Sequence, residues 1–316
     1  MNLIFFGSGE FGLPTLAGLA RSHTVRAIVT QPDRPAGRGA APTSTPIASW
    51  GAENLPGTRI IKPERVGDPG VVEEIRSAAG SPDAAFVVIA FGQKLPPSVL
   101  GGVFAINLHA SLLPRWRGAA PINWAVLAGD LQTGNSVITL ADRMDAGLVL
   151  GQTARGIDPS QTAGELHDRL AADGPALVER VLRQHGEGSL VGEVQDEGLV
   201  TLAKKLTKGD GWVDFSEVAE ACRRRIHGLT PWPGVTVTLQ GAPLKVLRVE
   251  PVGGMSERGP FGRLIDAGAG VVGCGGGTAL RLREVQAAGK RAMTWAEFVR
   301  GRRLVDGEAI LGKTSC

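Results

Sequence analysis

Hydrophobic residues in the first half of the chain come in short unbroken runs, separated by stretches where they recur at helical spacing. Asn2–Phe6 carries one such run, Val25–Thr30 a second, and Ala84–Ala90, rich in Val and Ile, a third. Runs of that length without polar alternation predict strands buried on both faces. Phe104–Leu108 and Asn135–Leu140 are further strand candidates, and Gly12–Arg21 has apolar residues at helical spacing. Thr162-Ala163-Gly164-Glu165 has the form of a capping box and predicts a helix running toward Arg183. Strands alternating with helices imply an α/β fold, a doubly wound and mainly parallel sheet with helices on both faces.

The pattern changes past Gly186. Gly186–Lys208 is polar and irregular, as suits a linker. From Trp212 onward a helix carrying Arg223-Arg224-Arg225 is expected, leading to Pro231-Trp232-Pro233-Gly234. Short alternating runs follow at Val235–Leu239, Leu244–Val249, Gly262–Asp266, Gly270–Gly273 and Ala279–Val285. Punctuated by Gly and Pro, they predict a small antiparallel β-barrel. The expected organisation is therefore a first domain over 1–189, a linker over 190–206 and a barrel over 207–316.

Composition sharpens this picture in three ways. With 43% hydrophobic and 21% charged residues the chain has the makings of packed cores, not of a disordered or coiled-coil protein. The longest apolar run, Ala84–Phe91, is far short of the ~20 residues a membrane helix needs, and Met1–Phe6 lacks a basic flank, so a cytoplasmic protein is expected. Cys222, Cys274 and Cys316 are too scattered for a disulfide framework or a CxxC metal site. Charge is unevenly divided: residues 1–200 carry 16 Lys/Arg against 20 Asp/Glu, and residues 201–316 carry 18 against 11. A basic second part suits a polyanionic partner, although a merely solvated basic surface has the same composition.

Gly7-Ser8-Gly9-Glu10-Phe11-Gly12 follows the first strand with the letters of a dinucleotide-binding turn. Glu10, however, puts a negative charge where a pyrophosphate would sit. The second strand ends in Thr30-Gln31-Pro32, without the acidic residue that would hold a ribose. A plain tight turn is expected, and no NAD. No HExxH, no paired Cys/His ligands and no GxSxG elbow occur, so neither a metal nor a serine nucleophile is expected.

Candidate chemistry concentrates in Ile106-Asn107-Leu108-His109-Ala110-Ser111-Leu112-Leu113-Pro114. Asn107 and His109 stand two apart at a strand end and project to the same face, toward the cleft that open α/β sheets form there. An amide and an imidazole side by side can donate two hydrogen bonds to one developing oxyanion. Asp142-Arg143-Met144-Asp145-Ala146-Gly147 follows the next strand candidate, and its carboxylates could reach the same cleft end and help to move a proton. A structural histidine near a turn, and loop carboxylates capping that turn, fit the same spacing.

These segments carry a resemblance. Asn107-Leu108-His109, Ser111-Leu112-Leu113-Pro114, Arg115-Trp116-Arg117-Gly118-Ala119-Ala120-Pro121-Ile122 and Asp145 resemble the folate-dependent formyltransferases. Gln31-Pro32-Asp33-Arg34-Pro35-Ala36-Gly37-Arg38-Gly39 is similar to the tRNA-contacting loop of the branch that acts on a charged tRNA. Ala90-Phe91-Gly92-Gln93-Lys94-Leu95-Pro96 is similar to the pterin-side segment, and Lys204-Lys205-Leu206-Thr207-Lys208 and Pro231-Trp232-Pro233 to the linker and the start of the barrel. The resemblance spans nearly the whole chain.

It implies a Rossmann-like formyltransferase domain with an OB-like barrel behind it, acting as a monomer. The implied reaction takes the formyl group of 10-formyltetrahydrofolate to the amino group of methionine on initiator methionyl-tRNA and releases tetrahydrofolate. Asn107, His109 and Asp145 are the implied catalytic residues, with Asp145 holding His109 and passing protons on. Ser111, Leu112, Leu113, Pro114, Phe91 and Gly92 are the implied folate contacts, and Arg38 and Lys205 the implied tRNA contacts. A small amine, such as an amino nucleotide sugar, is the alternative acceptor. Gly39-Ala40-Ala41, where relatives often carry lysines, implies a weaker electrostatic grip, and Phe91 stands where an aromatic hydroxyl is common.

Overall fold

A computed structural model describes residues 1–36, 41–81, 83–253 and 260–312. The chain forms two compact units. The first comprises residues 1–117, 134–154 and 167–201; the second comprises 118–133, 155–166 and 202–316. Two short stretches ahead of residue 189 thus group with the C-terminal part.

The elements, in order, are β1 (Asn2–Gly7), α1 (Leu13–Ser22), β2 (Thr24–Val29), β3 (Arg34–Ala36), β4 (Ala41–Thr43), α2 (Pro46–Asn54), β5 (Arg59–Ile61), α3 (Pro69–Ala79), β6 (Ala85–Ile89), α4 (Pro97–Leu100), β7 (Phe104–His109), β8 (Arg117–Gly118), α5 (Pro121–Ala128), β9 (Gln132–Thr139), β10 (Val149–Gly156) and α6 (Ala163–Gly186). The main sheet runs β10-β9-β7-β6-β1-β2-β5. Strands β5, β2, β1, β6 and β7 are parallel, and β9 is antiparallel to β7. From β1 the chain builds outward to β2 and β5, then returns to β6 on the other side. That reversal leaves the crevice at the strand C-termini where open α/β sheets take their ligands.

The unbroken apolar runs behave as expected. All five residues of β6 are buried. Ile4 and Phe6 of β1, Phe86 and Val88 of β6, and Ile75 and Ala78 of α3 share one core cluster. On the opposite face Phe5 approaches Gly12, and Ile28 lies against Gly51 of α2, so helices cover both faces. Each fully buried Phe or Ile contributes roughly 1.5–3 kcal/mol of transfer free energy, which is why the alternate residues of one strand hold two layers of helix. The glycine turn after β1 is a packing device. A Cβ on Gly7 would stand 2.6 Å from the Phe5 ring and 2.9 Å from the Ile89 carbonyl oxygen. Glu10, in the short helical turn that follows, is exposed.

The capping box at Thr162 forms: the Thr162 N–H donates to Glu165 Oε2 at 2.8 Å, and the Glu165 N–H donates to Thr162 Oγ1 at 3.3 Å. Helix α6 then runs unbroken through Pro175 to Gly186.

Later elements are β11 (Leu202–Ala203), α7 (Ala219–Gly228), β12 (Val235–Leu239), β13 (Ala242–Val252), β14 (Leu264–Asp266), β15 (Val271–Cys274), β16 (Thr278–Ala287), β17 (Met293–Thr294), α8 (Trp295–Val299) and β18 (Ile310–Leu311). The helix expected from Trp212 begins only at α7. Residues just before it are held in a turn by Asp214, whose Oδ1 accepts from the Ser216 N–H at 2.9 Å and the Ser216 hydroxyl at 2.6 Å. Such a side-chain turn competes directly with helical hydrogen bonding.

The second sheet runs β14-β15-β16-β13-β12-β18, with β17 paired to β16. Arg263 and Ala309 bridge its two ends, beside β14 and β18, so the sheet closes into the expected antiparallel barrel. Val235, Val237 and Leu239 alternate inward from β12 and join a core that includes Cys222, Cys274 and Trp295. Both cysteines are free thiols, and Cys316 lies outside the described residues. His227 of α7 is completely buried, and its Nε2 accepts the Val249 N–H at 3.1 Å. Burial, reinforced by the positive charges of Arg223 and Arg248, pushes its pKa down to about 4. No helix among the described residues is long and apolar enough to cross a membrane.

Candidate active site

Asn107 and His109 close strand β7, two residues apart, at the C-terminal edge of the parallel sheet. Asn107 pairs with Val88 of β6 on one side and Ile138 of β9 on the other, and His109 pairs with Ser136. His109 is 7% exposed and Asn107 is half-buried. The imidazole is held from both ends. Its Nε2 lies 2.8 Å from the Trp116 carbonyl oxygen, which fixes the ring proton on that nitrogen. Its Nδ1 faces the Asp145 carboxylate at 3.7 Å, an ion-pair distance longer than a hydrogen bond. Asp145 is itself largely buried, with 13% of its side chain exposed. The three residues singled out in the sequence therefore sit together.

Two backbone features shape this cluster. Trp116 (φ +65°) and Asp145 (φ +54°) are left-handed, as is Ala90 (φ +48°) at the end of β6. Non-glycine residues held there are strained, and such strain gathers at sites whose surroundings over-determine the backbone. At Trp116 the twist turns the carbonyl to His109, while the Trp116 N–H donates to Thr201 Oγ1 at 2.9 Å. At Asp145 it shapes the short turn that ends in Gly147. A Cβ on Gly147 would lie 1.8 Å from the Thr139 carbonyl oxygen, so only glycine fits.

The Ser111–Pro114 turn, which follows the histidine, is held by Ser136 and Gln152. Ser136 Oγ donates to the Ser111 carbonyl at 2.6 Å and accepts from the Leu113 N–H at 3.0 Å. Gln152 Nε2 donates to the Leu113 carbonyl at 3.0 Å and to Ser136 Oγ at 2.8 Å. Ser111 is fully buried, with its hydroxyl donated to the Arg115 carbonyl at 2.6 Å; Leu113 is buried, while Leu112 and Pro114 are half-exposed. Phe91 also points inward, 2% exposed and edge-on to Phe6 at 5.5 Å. Its carbonyl accepts from Ser8 Oγ and Gln31 Nε2, tying together the loops after β1, β2 and β6, and Gly92 follows it. The open parts of these expected folate contacts are thus Leu112, Pro114 and loop backbone.

A second layer was not legible in the sequence. Gln195, 7% exposed, donates from Nε2 to the Asp145 and Gly147 carbonyls, both at 2.8 Å. Its Oε1 accepts from Nε of the buried Arg117 at 2.9 Å. Arg117 Nη2 reaches Glu197 at 2.9 Å, and Arg143 reaches the other oxygen of Glu197 at 2.5 Å. Hydrogen bonds from Arg117 and Arg143 hold the Glu197 carboxyl below its ordinary range. A glutamine in a polar, irregular stretch gives no sequence signal; only its burial reveals it.

Of the two expected tRNA contacts, Arg38 lies outside the described residues, and Lys205 is exposed in the second unit. The short hairpin of β3 and β4 brackets the Arg38 segment and is anchored at its base, where Lys62 Nζ donates to Asp33 at 2.6 Å and Ser44 at 3.0 Å. On the barrel, Arg248, Arg281 and Arg283 line a groove of about 780 Å³. No cluster of His, Cys, Asp or Glu among the described residues could hold a metal ion.

Residues 1–182 match the formyl transferase family model, and residues 205–303 match the formyl transferase C-terminal domain. The methionyl-tRNA formyltransferase of Geotalea uraniireducens is 40% identical over 318 aligned residues, covering 99% of this chain and 98% of that protein. That of Geobacter sulfurreducens is 40% identical, covering 97% and 96%. Among solved structures, the sugar 3N-formyl transferase WlaRD, crystallised with dTDP and 5-N-formyl-THF, superposes with a TM-score of 0.67 at 13% identity, covering 92% of this chain and 99% of that one. HypX from Aquifex aeolicus, in complex with tetrahydrofolic acid, gives 0.62 at 14% identity, covering 97% of this chain and 50% of that one. At such identities these two share the fold alone.

Proposed function

The chain belongs to the formyl transferase family, and on that premise we propose that it moves the formyl group of 10-formyltetrahydrofolate to the α-amino group of methionine on initiator methionyl-tRNA, for translation initiation in the cytoplasm. One observation carries the choice of acceptor. The tRNA-acting relatives match at 40% identity across 99% of this chain, barrel included, whereas the sugar-acting structure shares 13%.

The folate supplies a formyl group already attached to a leaving nitrogen. Asn107 and His109 donate to the formyl oxygen as it gains negative charge, each donor being worth about 3–4 kcal/mol in such a role. With Nε2–H committed to the Trp116 carbonyl, His109 reaches the reacting atoms only through Nδ1, and donates there only as the imidazolium. Asp145, 3.7 Å from Nδ1, takes up the proton the attacking amine gives up, directly or through water, and that proton passes to the folate nitrogen as its bond to the formyl carbon breaks. The donors here are neutral or shared with a carboxylate, which suits an uncharged amine attacking a neutral amide and calls for neither metal nor nicotinamide. Leu112, Pro114 and the backbone around Gly92 supply the folate side.

We assign catalysis to residues 1–189, a linker to 190–206 and tRNA binding to the barrel over 207–316, with Arg38 and Lys205 contacting tRNA and the chain acting as a monomer. The surplus of 18 Lys/Arg over 11 Asp/Glu in residues 201–316 supports this division, because phosphate contacts supply most of the affinity for a tRNA. The test is transfer of labelled formyl from 10-formyltetrahydrofolate to initiator methionyl-tRNA, elongator methionyl-tRNA and a dTDP-amino sugar in parallel. Rapid labelling of the initiator alone is expected. Labelling of the sugar instead would replace the acceptor and leave the donor standing.

A further inference from the structure

We propose that Gln195 is a positioning residue for the formyl transfer: it clamps the Asp145 turn so that the carboxylate stays beside His109. The inference rests on the function proposed above and extends it to a residue outside the catalytic cluster.

Every polar atom of the Gln195 amide is used. Arg117 Nε donates to Oε1, which leaves the NH2 group turned the other way, and its two hydrogens go to the carbonyls of Asp145 and Gly147. Arg117, 5% exposed, is fixed in turn by Glu197, and Glu197 holds Arg143, two residues ahead of Asp145. The turn is therefore gripped at the Arg143 side chain and at two carbonyls. Just beyond it, Val149 and Glu193 form a backbone bridge that sets the register of the gripping segment. The grip falls on a residue that resists its own conformation, since Asp145 is left-handed at φ +54°. Without the two amide hydrogens both carbonyls, that of Gly147 buried, lose the donors Gln195 supplies, and the turn has reason to relax, carrying the carboxylate with it.

Two variants test this in the full-length enzyme. Gln195→Leu keeps the approximate size and removes every donor. Gln195→Glu keeps a partner for Arg117 but sets a carboxylate oxygen against two carbonyls, and so supplies a folded comparison if the leucine variant is unstable. For either, kcat is expected to fall ~10- to 50-fold with KM for both substrates within ~3-fold, as a small displacement of a reacting group costs rate more than binding. In an Asp145→Asn background the Gln195→Leu change should add less than ~3-fold, because both act through one carboxylate. Imidazole nitrogen NMR of substrate-free enzyme should show His109 signals moved in the same sense by Gln195→Leu and by Asp145→Asn.

Multiplying effects in the double variant, a raised KM at unchanged kcat, or unmoved His109 signals would overturn the proposal. Failure of the unaltered chain to formylate any charged tRNA would overturn the function instead. The NMR comparison, which needs no substrate, would still judge the clamp.

Discussion

His109 shows how one neighbouring atom narrows a residue's chemistry. The Trp116 carbonyl at 2.8 Å takes Nε2, so a side chain that could act from either nitrogen acts from Nδ1 alone. His109→Ala and Asp145→Ala should each lower formyl-transfer turnover at least ~100-fold, measured under saturating substrates with unfolding midpoints checked alongside. Turnover within a few-fold of the unaltered enzyme would remove that residue from its role. The pairing of Asn107 with His109 was legible because a strand has a period of two, and the chain signals its strand there with Ile106 and Leu108. Gln195 was not legible, because its importance comes from burial against carbonyls that no local pattern announces. Ser111 and Phe91 lie between these cases: their positions near the site were readable, while their inward orientation is decided by Arg115, Ser136 and Phe6.

Elements were most readable where one force dominates. The run in β6 and the capping box of α6 each express a single local preference, and both form where the pattern placed them. Strand β10 and the short α2, α3 and β5 gave no comparable signal; β10 has only half-buried and exposed positions and lies at the sheet edge. The turn between β9 and β10 depends on one residue. Gly147→Ala would press a methyl into the Thr139 carbonyl 1.8 Å away, so the turn must shift. A loss of ~2 kcal/mol or more in chemical unfolding is expected, with at least ~10-fold lower turnover as Asp145 moves. Full activity in that variant would show that the turn tolerates displacement.

For the whole molecule, charge and pH give separate handles. Binding of initiator tRNA should weaken steeply with salt, and Arg38→Ala should lower the log–log salt slope by about 1 while leaving folate affinity unchanged. A fall in folate affinity instead would separate that loop from the tRNA. His227, buried neutral with a pKa near 4 against an ordinary 6.5, binds its proton more readily when the chain is unfolded. Stability is therefore complete above pH ~6.5 and declines as pH falls toward ~4, by about 3 kcal/mol for this group. Denaturant unfolding across that window checks it, and His227→Gln should flatten the decline. The barrel was legible from alternation, but the residues that close it were not, because the Arg263–Ala309 bridge joins residues far apart in sequence. Around that bridge the Leu264 N–H donates to the Glu308 carbonyl and the Ile310 N–H to the Gly262 carbonyl, both at 2.9 Å, so backbone groups that an open sheet would leave unpaired are bonded there. A second copy of the chain therefore finds no free ladder there to extend, and the barrel is protected at that seam against edge-to-edge aggregation, however crowded its surroundings become.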